Sequence, residues 1–407
     1  MHERLYMTIS NTISSATPSA TPSATPSATP SATPSATPSA TIVPHGTIDY
    51  AELRELGLQP EDITIFSSNI NPFGPPPAAV EALRAAITNE TVARYPDRLS
   101  HELSELLGAY HNLSADSILF GNGTADLLWL IGLLHLQQRR VAILGPTFGE
   151  YLNVAQIMRA DVIDLCHPGW IATSTGYEPG DNTIAQVAKS VQNAAPEVIF
   201  VCNPNNPTGH YLAPHELELL YAAAPDALWI IDEAYAEFMQ PTATTAAWVE
   251  RGNWLVLRSM TKDYSLGGLR LGYVIGAPAL IKPLQAAQSP WNVNTFAQFA
   301  GAASLREGIT WRNETLAKLR TETLTLQDQL REIGYQPCPT AVNYFLIPVD
   351  SPATLRQTLL EDRLIVRDCT SFGLPHFIRI ATQLPDANAQ LLQALRQHAP
   401  EAHPLSM

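Results

Sequence analysis

Lys262 is the only lysine in a run from Ser259 to Arg270 that also contains the pair Gly267 and Gly268. Upstream, Asp232, Glu233, Ala234 and Tyr235 form one string, and Asn203 to Gly209, with Asn206 and Pro207 inside it, forms another. A lysine amine condenses with an aldehyde, is displaced by a substrate amine, and is then free to move protons at the substrate Cα. Asp232 ends an apolar run, where a carboxylate is costly to bury unless a cation meets it. A protonated ring nitrogen is such a cation, and the pair would make the ring an electron sink. Asn206, held out of the helical region by Pro207, can donate to a phenolate oxygen, and Tyr235 can reach the same oxygen or the lysine. Ser259 and Arg270 supply a hydroxyl and a bidentate fork for a phosphate. Taken singly, a loop lysine is a solvated charge, an aspartate after a strand is a cap, and Asn-Pro is an ordinary turn. Together they describe a site for pyridoxal phosphate (PLP).

A phosphate needs a second grip. Gly121 to Asp126 follows a predicted strand and opens the helical run Leu127 to Leu136, so the backbone amides around Gly123, Thr124 and Ala125 can face an anion at a helix N-terminus. No Gly-Lys-Ser/Thr follows, which excludes a P-loop. Phe148 and Tyr151 lie after the next strand, and one of them can stack on the cofactor ring; Phe148 is favoured, with Tyr151 second and core packing the plainer role for either.

These groups must be positioned by a sheet. Ser117 to Phe120, Val141 to Leu144, Val162 to Leu165, Val198 to Val201, Leu228 to Ile231 and Trp254 to Leu257 are apolar on both faces, as buried parallel strands are. Most are separated by enough chain for a crossover helix, giving an α/β fold with a mainly parallel sheet covered on both sides. Beyond about Pro290 the pattern changes to a long helix over Trp311 to Ile333, strands near Tyr344 to Ile347, Leu364 to Arg367 and Phe377 to Ala381, and a last helix over Asp386 to His398, a smaller α+β domain. The expected division is a tail (1–41), an arm (42–75), a large cofactor-binding domain (76–289) and a small domain (290–407). Ligands bind beyond the carboxyl ends of strands in such sheets, and each motif follows a strand, so the motifs can meet in one crevice.

Composition narrows the alternatives. A formal charge of -14, with no Lys/Arg cluster, argues against nucleic acid. No apolar run is long enough to span a bilayer. The four cysteines are far apart and form no CxxC pair, so neither a zinc site nor a disulfide framework is expected; a cytoplasmic protein without a metal fits best. Thr17 to Ala40 is six Thr-Pro-Ser-Ala units, and a proline at every fourth position forbids a regular helix or strand ladder. That tail reads as a disordered spacer, with a modified Ser/Thr stalk as the other reading.

The strings resemble the fold-type I PLP enzymes of the class I/II aminotransferase family, and within it the branch of histidinol-phosphate aminotransferase and threonine-phosphate decarboxylase. The likeness runs from about His45 to the C-terminus. It implies a homodimer with shared active sites. Asn69 to Pro75 matches the branch's N-terminal arm, placing Asn69 at the substrate, and Arg94 to Asp97 matches the segment whose tyrosine, here Tyr95, reaches the cofactor phosphate of the partner subunit. Arg379 should clamp a substrate carboxylate, Arg367 a distal group such as a phosphate, and the Asn206-Pro207 bond should be cis. The implied reaction is amino transfer between an amino acid or phosphorylated amine and a 2-oxo acid. Decarboxylation is the alternative, because the bond that breaks is the one perpendicular to the ring, and His45-Gly46 and Arg367 to Phe372 lean toward it. Thr47 and Ile48 depart from that enzyme's pattern, which commonly carries glycine and asparagine there. A non-catalytic PLP-binding regulator is a remote third reading, without a DNA-binding segment to support it.

Overall fold

The structure is a computed structural model that describes residues 49–397. The repeat tail and the His45-Gly46 pair lie outside the described residues. All described residues belong to one compact unit.

Val198–Cys202 and Trp254–Ser259 bury every residue, and Leu228–Asp232 all but its first. These runs are apolar throughout because helices cover both pleat faces. The seven strands lie in the order Ile118–Asn122, Leu271–Gly276, Trp254–Ser259, Leu228–Asp232, Val198–Cys202, Arg140–Gly145 and Asp161–Cys166. One core joins Ile199, Val201, Trp229 and Ile231 to Val187 and Val191 of helix Ile184–Ala194 and to Leu217 and Leu220 of helix Pro214–Ala223. The opposite faces, with Ile143, Phe200 and Ile230, pack on helices Thr124–His135 and Glu150–Ile157 through Leu127, Ile131 and Val154. The alternation of side chains along each strand accounts for this division.

Leu271–Gly276 was not anticipated. It is antiparallel to both of its neighbours and wholly buried, the one reversed strand in the sheet. It begins directly after Arg270, whose left-handed backbone (φ 60°) turns the chain back along the sheet. Gly272 is needed there: a Cβ would stand 2.6 Å from the Thr124 amide nitrogen. The hairpin Trp170–Thr173 and Gly176–Pro179 was also missed.

The second sheet is antiparallel, with Phe377–Ala381 between Tyr344–Pro348 and Arg367–Asp368. The single strand expected over Leu364 to Arg367 is corrected by the structure. Leu364–Ile365 pairs in parallel with Thr64–Ile65 of the arm, and the chain passes through buried Val366 before Arg367 pairs with Arg379. The arm competes for the first half of the run and the sheet takes the second. Helices Ile309–Glu332 and Pro385–Gln397 lie within two residues of the expected ends.

Candidate active site

The strand ends deliver Gly123, Phe148, Asn206, Asp232, Ser259 and Lys262 to one edge of the large sheet. Lys262 is largely buried but still partly accessible, and its ammonium is pulled down from 10.5 to about 8, first by burial, then by Arg379 and Arg270, with Asp232 opposing. Three side chains, two of them from other parts of the chain, therefore act on one amine. Its loop is clasped from the arm: the Asn71 amide donates to the Lys262 carbonyl (2.9 Å) and Asn71 Nδ2 to the Asp263 carbonyl (3.1 Å). Asn71 was not singled out beyond its place in the arm motif.

Asp232 accepts from the Tyr151 hydroxyl (2.7 Å) and the Ala234 amide (3.0 Å). Burial pushes its carboxyl up, and the Tyr151 bond works against that. A buried carboxylate held only by neutral donors is one that a cationic ring nitrogen would complete. Tyr151 also stacks on Phe200 (5.1 Å, 8°) and meets Phe148 edge-on (5.6 Å). It is thus a support for Asp232, with partly buried Phe148 beside it.

At the phosphate end, helix Thr124–His135 starts at Gly123 (φ 80°). A Cβ on Gly123 would lie 2.6 Å from Arg270 Nη2, so the guanidinium lies over the turn that exposes the Thr124 and Ala125 amides. Ser259 Oγ is 2.6 Å from Thr261 Oγ1, and both are buried. Thr261 was missed; its signal was a second hydroxyl two residues after Ser259. Glycine cradle, amide row, two hydroxyls and guanidinium fit a phosphate.

On the substrate side, Arg379 donates to Asn206 Oδ1 and to the Ser67 carbonyl (2.7 Å). Asn206 so turned keeps its Nδ2 donor for another acceptor, and its bond to Pro207 is cis. Asn69 Nδ2 donates to the Tyr235 hydroxyl (3.2 Å), whose phenol is pushed up to about 12, chiefly by burial. Ser67 Oγ, Asn69 Oδ1 and Arg379 Nε are buried without a hydrogen-bond partner among the described residues, as expected of a site that meets a polar ligand. Arg367 donates to Ser371 Oγ (2.7 Å), and the Phe372 ring lies 5.2 Å from its guanidinium and 5.9 Å from that of Arg379. Tyr95 is not brought to this site by its own chain: it is 78% exposed and stacked on Trp291 (4.5 Å).

Behind the site lies a charge network that sequence reasoning did not see. Arg258 pairs with Glu233 (3.0 Å) and Glu237; Arg312 pairs with Glu237 (3.2 Å) and Asp263 (3.5 Å). Three of its members sit next to site residues: Glu233 beside Asp232, Arg258 beside Ser259, Asp263 beside Lys262. A charged arginine inside the apolar run Trp254–Ser259 was the available signal. No cluster of three or more metal-ligating side chains occurs among the described residues, and none of their helices is long and apolar enough to cross a membrane.

A mainly parallel sheet with a lysine, an aspartate and a phosphate cradle at its strand ends defines a PLP-dependent transferase of fold type I. The chain belongs to the aminotransferase class I and II family, which residues 61–395 match, and it is an enzyme of that PLP-dependent class. It is 33% identical over 347 residues to histidinol-phosphate aminotransferase of Symbiobacterium thermophilum, covering 84% of this chain and 92% of that one. The structure is similar to histidinol-phosphate aminotransferase from Clostridium acetobutylicum (TM-score 0.72, 25% identity, 82% and 98% of the two chains). It shares its fold with L-threonine-O-3-phosphate decarboxylase from Porphyromonas gingivalis (TM-score 0.70, 24% identity, the same coverage).

Proposed function

We propose that the protein moves an amino group between a phosphorylated amine of the histidinol phosphate type and a 2-oxo acid. The observation that carries this reading is the register of Arg367 against Arg379 on adjacent strands, with both guanidiniums against the Phe372 ring. Two cations so placed suit a phosphate in one half-reaction and a dicarboxylate in the other. The named relatives support the same substrate class.

PLP, when bound, supplies the aldehyde that captures the amine and the sink for charge developing at Cα. Asp232 would hold its ring nitrogen, Asn206 and Tyr235 its phenolate side and Phe148 one face. The Gly123, Thr124 and Ala125 backbone, Ser259, Thr261 and Arg270 would hold its phosphate. Lys262, with its depressed proton affinity, takes the Cα proton and returns it one carbon away. Arg379 orients a carboxylate, and Asn69 steadies Tyr235.

Tyr95 would complete the phosphate site of a second subunit. Its exposure, the neighbouring exposed Trp291 and Phe299, and a cavity of about 350 Å³ lined by Thr91, Arg94, Tyr95 and Phe299 support a homodimer through this face. The division of the chain near residue 290 and a cytoplasmic location belong to the same reading.

The test is to incubate holoenzyme with histidinol phosphate plus 2-oxoglutarate, and separately with threonine phosphate alone while trapping carbon dioxide. Glutamate formed in the first mixture and no gas in the second is the expected result. Carbon dioxide released without a keto acceptor would overturn it in favour of the decarboxylase, to which the Arg367 to Phe372 run leans.

A further inference from the structure

The hairpin Trp170–Thr173 and Gly176–Pro179 leaves the large sheet directly after Asp161–Cys166, yet it is fastened to the turn that follows Arg367. The Tyr177 amide donates to the Gly373 carbonyl (2.7 Å). A Cβ added to Gly373 would lie 2.9 Å from Tyr177 Cδ2, so the ring lies against that glycine. Gly176 is packed so closely on the Gly373 carbonyl that it has no room for a side chain, and its φ of 144° disfavours one as well. From the same hairpin, Trp170 enters a small core with Leu346, Cys369, Leu374 and Phe377 of the second sheet region. At its other end, Tyr177 Oη lies 2.5 and 2.6 Å from the two carboxylate oxygens of Asp164, on a strand of the large sheet.

The fastened turn is the one that orients Arg367. Ser371 Oγ accepts from Arg367 Nη2, and Phe372 lies against both Arg367 and Arg379. A continuous path thus runs from the large sheet through Asp164, Tyr177 and Gly373 to the Ser371 and Phe372 pair and the guanidinium. Lys262 is carried by the large sheet's strand ends and Arg367 by the second sheet. The spacing between the reacting amine and a bound phosphate therefore depends on how these two parts are held together.

We propose that the Asp164–Tyr177 pair and its hairpin are a specificity-determining positioning device, a strap that sets the reach from Lys262 to the anion held by Arg367. This rests on the assignment of a phosphorylated donor above. Tyr177 touches neither substrate nor cofactor in this scheme; it acts through Gly373 and Ser371.

The experiment compares kcat/KM for histidinol phosphate and for histidinol, which lacks the anion, in wild-type holoenzyme and in the variants Gly176→Ala and Tyr177→Phe. Misplacing one charge-assisted contact is expected to lower the preference for the phosphorylated donor about tenfold, with kcat/KM for histidinol within about twofold of wild type. Tyr177→Phe keeps the ring against Gly373 and removes only the Asp164 tether, so it separates the strap from gross misfolding. An unchanged preference in both variants, or an equal loss on both donors, overturns the inference while leaving the assigned function intact. A wild-type enzyme indifferent to the phosphate would instead sink the functional assignment, and this inference with it.

Discussion

Replacing Lys262 with methionine should stabilise the cofactor-free protein, and by an amount that depends on pH. The folded lysine holds its proton to about pH 8 and the unfolded one to about 10.5. A gap of about 2.5 is worth about 3 kcal/mol. Below pH 8 both states are protonated and the folded state bears the whole cost. Between 8 and 10.5 the folded state has released its proton while the unfolded state still binds one, so stability rises with pH through that window. Above 10.5 both are neutral and the cost is gone. The methionine variant should therefore be more stable than wild type by about 3 kcal/mol at pH 7 and about 1 kcal/mol at pH 9.5. Urea denaturation of both cofactor-free proteins at the two pH values measures this. An advantage equal at both, or no advantage at pH 7, would refute the claim that burial and the neighbouring arginines hold the amine down. The functional return is the fraction of reactive neutral amine at pH 7: about one-tenth, roughly 300-fold more than for an ordinary lysine.

Three other outcomes are expected. Tyr151→Phe removes a charge-assisted donor to Asp232, worth about 1.5–3 kcal/mol, and should weaken PLP retention by roughly 10- to 100-fold in absorbance titrations. Arg379→Lys loses the fork that now spans Asn206 and Ser67; a loss of about 2 kcal/mol should raise the KM for glutamate roughly 30-fold with little change in the KM for a neutral amine. Arg258→Met leaves buried Glu233 without a cation and Glu237 with Arg312 alone, at a cost of about 3–5 kcal/mol, and calorimetry should show a large fall in melting temperature.

The two-sided apolar strands were legible because a strand buried on both faces must be apolar throughout, and five of the six expected runs lie wholly inside observed strands, the run from Ser117 being the exception; Val162 to Leu165 is a strand but, at the edge of the sheet, only Leu165 of it is buried. Leu271–Gly276 is just as apolar, but it starts at Arg270 with only a turn before it, and periodicity holds no information about direction. The Leu364 to Arg367 run failed differently: its composition is that of one strand, and the partner that divides it, Thr64–Ile65, lies about three hundred residues away. Pairing partners at that separation are set by packing of the whole fold, not by local pattern. The same applies to the hairpin at Trp170, whose anchoring is tertiary throughout.

Within the site, legibility followed chemical necessity. Lys262, Asp232, Asn206, Ser259 and Arg270 stood out because a PLP ring demands those functional groups near fixed strand ends. The Glu233, Arg258, Glu237, Arg312 and Asp263 network did not, since a buried charge is recognisable only once its counter-charge is in view. Between Phe148 and Tyr151 the sequence nevertheless held a deciding argument that spacing alone did not use. Asp232, committed to the end of an apolar strand, must collect hydrogen-bond donors to be buried at all. Of the two aromatics only Tyr151 has one to offer, and Phe148, with no polar atom to satisfy, is the better surface for a ring. The structure places the tyrosine hydroxyl 2.7 Å from that carboxylate. The accounting of buried donors and acceptors separates the two side chains, where their shared place after one strand does not.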